Sequence, residues 1–264
     1  MPYRILVAAF ALLLAAVAAT AQEEEDLVTF HGCPPQGSAK QVDNKSLNAQ
    51  KNRFDSPGAR TRYFRVSLAE VVRRGADSKR FAAGVPAEMV GWVRLVKDGS
   101  GETCNCGETR DKSLMDTHIE LVPGPGAKQN IVARIVVVEV TSRLRQVMLE
   151  EGKDWSTKTL KATIEGRWVR VRGWLLYDHE HTESANATAK RGAGIFKGGN
   201  WEVHPITDIK LIPEPSPAAD TLTTLRATES SPDASAVPLD EDAVELDPFD
   251  KPQPAATPRR KPVP

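Results

Sequence analysis

The chain has 264 residues, with 35 Lys+Arg against 35 Asp+Glu and three cysteines. Its 40% hydrophobic and 27% charged composition supports a packed core over one or two domains and excludes wholesale disorder. Zero net charge excludes a globally basic nucleic-acid binder while allowing a local basic face, and three cysteines are too few for a disulfide scaffold.

The first segment reads as a cleaved signal peptide over residues 1–21. Arg4 precedes the uncharged apolar run Ile5 to Ala19, small residues Ala19-Thr20-Ala21 follow, and Gln22 begins the mature chain. The run is shorter than a membrane span needs. The alanine- and proline-rich style is bacterial, which places the mature chain in the periplasm or outside the cell.

Residues 22–86 show little periodicity and read as an irregular segment containing one short helix. Gly32-Cys33-Pro34-Pro35 is a turn. Ser67 and Glu70 form a capping box for a helix that presents Leu68, Val71 and Val72 and stops at Gly75.

From 87 to 212 the pattern is that of a β-domain. Strands are predicted at Ala87–Val96, Thr117–Val122 and Ile131–Val140, the last rich in β-branched residues. Leu144, Val147 and Met148 then recur at helical spacing, and Leu160 and Ile164 extend the helical region. Trp168–Tyr177 and Trp201–Leu211 complete the strands. Three strands, a helix and two strands is the order of the OB-fold, a five-stranded barrel with a helix between strands three and four. Gly91 suits the bend that its long first strand requires.

Residues 213–264 hold 11 of the 19 prolines, with ten acidic and five basic residues. This composition predicts a disordered tail.

Several motifs occur together: Gly32-Cys33-Pro34, Leu47-Asn48 with Lys51-Asn52-Arg53, Glu102-Thr103-Cys104-Asn105-Cys106, Asp116-Thr117-His118-Ile119 and Val138-Glu139-Val140-Thr141 with Arg143. Gly173 to Tyr177 runs into Asp178-His179-Glu180-His181, and Trp201-Glu202-Val203-His204-Pro205 closes the set. Over about residues 31–212 this combination resembles a group of uncharacterised secreted bacterial proteins with an OB-like core. The resemblance implies secretion and that fold, and no activity. The group usually carries proline where this chain has His179, which favours His181 over His179 as a residue of shared role.

Three constellations carry chemistry. Asp116 with His118, and Glu202 with His204, are two apart on strands and so share a side, as do His179 and His181. Imidazoles and carboxylates suit Zn²⁺ or another divalent metal, so His118, His181, His204, Asp116 and Glu202 are candidate metal ligands, against a plain role at strand ends. In an oxidising compartment Cys33 is expected to pair with Cys104 or Cys106, since Cys104 and Cys106 are too close in sequence to pair without strain. A cysteine-containing metal site and three free thiols are the alternatives. Finally, alternation puts Trp168, Arg170, Arg172 and Trp174 on one strand face, a pattern suited to stacking and phosphate binding, or to covering apolar surface with arginine stems. The long loops 97–116 and 182–200 correspond to those that border the ligand groove in OB-folds.

The expected function is a secreted OB-fold-like binding module for a polyanion or oligosaccharide held on that face. The alternatives are a metal-dependent phosphodiester hydrolase, with Asp116, Glu139 and Glu202 as ligand or base candidates and Arg143 as charge stabiliser, or a structural envelope protein.

Overall fold

The computed structural model describes residues 29–58, 60–75, 77–127, 131–189 and 194–215. The predicted signal peptide, and the predicted tail from residue 216 onward, lie outside the described residues.

Among the described residues six strands form one mainly antiparallel sheet: β1 (Phe64–Arg65), β2 (Pro86–Asp98), β3 (Thr117–Val122), β4 (Val136–Val140), β5 (Trp168–Tyr177) and β6 (Trp201–Leu211). They are ordered β4-β3-β2-β5-β6, with β1 running parallel to β2 off that path. Strands β4 and β6, the two ends of the path, approach each other, but no ladder among the described residues joins them, so the sheet is not closed. No described helix is long and apolar enough to cross a membrane.

Alternation builds the apolar core. Val93 and Val96 of β2, Ile119 and Leu121 of β3, Val136, Val138 and Val140 of β4, Val169 and Val171 of β5, and Trp201 and Val203 of β6 point to one side and are fully or nearly fully buried. Helix α3 (Ser142–Glu150) and helix α4 (Thr157–Ile164) cover this side through Leu144, Met148, Leu160 and Ile164. Thr141 caps the first by accepting from Leu144 N, and Ser156 caps the second by accepting from Thr159 N. Helix α2 (Leu68–Val71) carries the capping box, with Ser67 and Glu70 each accepting from the other's backbone N–H. A Cβ at Gly91 would lie 2.9 Å from Leu68 Cδ1, so the glycine in β2 lets this helix pack directly on the strand.

Three elements differ from expectation. The segment Ile131–Arg134 is a 3-10 turn rather than the start of a strand; Ile131 packs with Trp92 and Ala127 on a small apolar patch formed by Val122, Ile135 and Val137. Strand β1 is an addition. Helix α1 (Val42–Lys51) occupies the segment expected to be irregular, because its buried residues are Leu47, Asn48 and Lys51, which leave almost no apolar stripe to read.

Candidate functional site

Helix α1 lies against β6 and the turn Thr103–Asn105. Asn48 Nδ2 donates to Gln36 O and Thr103 Oγ1, and Asn52 Nδ2 donates to Pro35 O and Cys104 O. Arg143 Nη1 donates to Asn52 Oδ1 at 2.7 Å, and its Nη2 donates to Cys33 O at 2.6 Å. The guanidinium therefore ties the N-terminal segment to α3. Cys33 and Cys106 lie at disulfide distance, S–S 2.09 Å, which fixes the same segment to loop 97–116. Cys104 is the free, buried thiol; burial, and the Asp116 carboxylate beside it, push its pKa well up, so it stays protonated.

Beneath this cover, alternation directs His118 of β3, Glu139 of β4, and Glu202 and His204 of β6 to the face opposite the apolar core. Loop 97–116 adds Glu102, and the connection after β5 adds Asp178 and Lys197. With Lys51 of α1 these side chains form a closed ring in which acids and bases alternate. Lys51 Nζ lies 3.0 Å from Glu102 and 3.9 Å from Asp178. Asp178 is 3.1 Å from Lys197, which is 3.6 Å from Glu202. Glu202 is 3.1 Å from His204 Nδ1, which is 3.6 Å from Glu139. Glu139 Oε2 is 3.2 Å from His118 Nε2, and that nitrogen is 3.5 Å from Glu102 Oε1. Most of these side chains are almost wholly buried; His118 and Glu102 retain 11% and 10% exposure.

Such a group survives burial only through mutual compensation. Burial opposes the charge of Lys51, but Asp178 and Glu102 outweigh it and hold the amine well above the usual lysine range. Burial likewise opposes a charged His118, while Glu139 and Glu102 raise its pKa well above the ordinary imidazole value. His204 is raised in the same way by Glu139 and Glu202.

The candidate metal ligands are partly brought together. His118 and His204 both face Glu139, and Asp116 Oδ2 lies 3.7 Å from His204 Nε2. Glu202 is held by His204 and Lys197, and His181 turns to Asp178 at 2.5 Å. His179 Nε2 meets Asn44 Oδ1 at the periphery. Lys51 and Glu102 lie in motifs the sequence already marks, and Lys197 in the long loop 182–200, but no spacing in the chain assigns any of the three to a charged site.

The face of Trp168, Arg170, Arg172 and Trp174 forms as alternation predicts, each residue half-buried while Val169 and Val171 are buried. Cross-strand pairing adds Glu88, Asp208 and Lys210 to this face, and Arg65 pairs with Glu88 from β1. Arg172 Nε is 2.7 Å from Glu88 Oε2 and Arg170 Nε is 3.6 Å from it. Arg172 lies over Tyr63 and Arg53 over Trp174, at 4.7 and 3.4 Å from the ring centroids, while Trp168 meets Trp92 edge-on. Among the described residues, the long loops 97–116 and 182–200 reach the charged ring through Glu102 and Lys197.

Comparison with protein-family models, with curated proteins and with solved structures finds no match to this chain.

Proposed function

We propose that the chain is a secreted binding module with an OB-like sheet, and that its β5 face takes an anionic polymer. The strand order β4-β3-β2-β5-β6 with helices between β4 and β5 supports the OB-like reading, and the cysteine pair supports an oxidising compartment. The observation that carries the ligand class is the charge of the face. Arg65, Arg170, Arg172 and Lys210 share two carboxylates, Glu88 and Asp208, and aromatic rings lie beneath two guanidiniums. An excess of cations over stacking rings attracts polyanions and offers flat partners to bases or sugars.

The test is binding of a single-stranded oligonucleotide and of a neutral oligosaccharide, each over a range of salt. Oligonucleotide binding that weakens steeply with salt, and that loses affinity and salt slope in Arg170→Ala/Arg172→Ala, supports the reading. Salt-independent binding, or affinity unchanged in a folded double variant, overturns it.

A further inference from the structure

Within the ring of alternating charges several buried atoms make no hydrogen bond, His118 Nε2, Glu139 Oε2, Glu202 Oε2 and His204 Nε2 among them. The His118 imidazole nitrogen lies between two carboxylate oxygens, Glu139 Oε2 at 3.2 Å and Glu102 Oε1 at 3.5 Å. Glu102 is otherwise satisfied, since its other oxygen, Oε2, accepts from Lys51 at 3.0 Å.

These separations have a simple meaning. A tetrahedral site with bonds of about 2.0–2.2 Å separates its donor atoms by roughly 3.3–3.6 Å. The two distances from His118 Nε2 fit the edges of such a polyhedron, and the three donors fall within 4.8 Å of one another. Charge points the same way. The ring and its neighbour Asp116 hold five carboxylates: Glu102, Asp116, Glu139, Asp178 and Glu202. Lys51, Lys197, Arg143 and Arg145 stand nearest to them, so the carboxylates outnumber these fixed cations, and a divalent cation would replace the protons that the imidazoles otherwise hold.

We propose that Glu102, His118 and Glu139 bind one divalent cation, with Zn²⁺ the best match to this mixed nitrogen and oxygen set. Gly99 borders both His118 and a cleft of about 480 Å³ lined in part by Lys97, Ser100 and Thr109. A Cβ at Gly99 would lie 2.9 Å from His118 Nε2, so a larger residue there would crowd that nitrogen. This site is separate from the β5 face and does not depend on the ligand proposed for it.

The experiment uses the full chain, stripped with a chelator and titrated with ZnCl₂ alone, with metal content read by elemental analysis. One equivalent of Zn²⁺ at micromolar concentration is expected, and Co²⁺ in its place should give the intense visible absorption of a low-symmetry site. His118→Gln and Glu139→Gln should each lower affinity by about tenfold or more and abolish that absorption. If either variant does not fold, Gly99→Ala, which keeps all three donors but crowds the nitrogen, should show the same loss. A wild-type chain that takes up no stoichiometric Zn²⁺ overturns the proposal and leaves protons as the balancing charge. Undiminished affinity in the folded variants overturns it equally.

Discussion

Lys51 of helix α1 donates to Glu102 of loop 97–116 at 3.0 Å, with the amine almost wholly out of water. The two residues are 51 positions apart in sequence, and their contact joins the N-terminal segment to the sheet. Removing one partner of a buried pair leaves the other charge without compensation. Lys51→Ala is therefore expected to cost about 3–5 kcal/mol, read from the urea midpoint, and a loss below about 1 kcal/mol would show that water compensates the site instead.

Non-reducing peptide mapping should recover Cys33 joined to Cys106, with Cys104 as a free thiol. Replacing Cys33 with Ser should destabilise the chain by about 2–4 kcal/mol. In the native state Cys104 should resist thiol reagents, because burial keeps it protonated and out of reach. A Cys33–Cys104 peptide as the main product would refute the pairing.

Asp178 and His181 contribute to the dependence of stability on pH on opposite sides of neutrality. Burial pushes the Asp178 carboxyl up, but Lys197, Lys51 and the bond from His181 hold it well below the usual carboxylate range. The folded chain thus binds fewer protons there than the unfolded chain. This contribution is complete above about pH 4 and is lost as the pH falls further. The hydrogen bond to Asp178 raises His181, whose contribution is complete below about pH 6.5 and is lost as the pH rises through the raised value. Urea midpoints should therefore peak between these limits, and Asp178→Asn should flatten both sides of the profile. An equally curved profile in a folded Asp178→Asn chain would assign the dependence to other groups.

Trp201 begins β6 with 1% exposure, packs against Phe81 and Tyr177 at 5.3 and 5.1 Å, and donates from Nε1 to Asp77 O. Trp201→Ala should cost about 3–5 kcal/mol, because it opens a cavity and orphans a buried carbonyl. Trp201→Phe should cost less while still losing the hydrogen bond. Equal costs for the two would mean that the ring packing contributes little.

Much of the sheet and two of its helices can be read from local pattern. Val169 and Val171 alternate with Arg170 and Arg172, and Leu160 and Ile164 recur one helical turn apart, because burial of apolar area is a property each segment expresses by itself. The capping box at Ser67 and Glu70 is local in the same sense. Helix α1 is not, since Asn48 and Lys51 are buried by partners at Thr103 and Glu102, supplied by a distant loop. The choice between Cys104 and Cys106 for Cys33 was open for the same reason, as was the contact of both long loops with the ring. Local pattern along the chain sets which residues prefer to leave water and at what spacing. Which buried charges meet is fixed by the folded chain alone, because their compensation depends on separations of about 3–4 Å between atoms far apart in the chain.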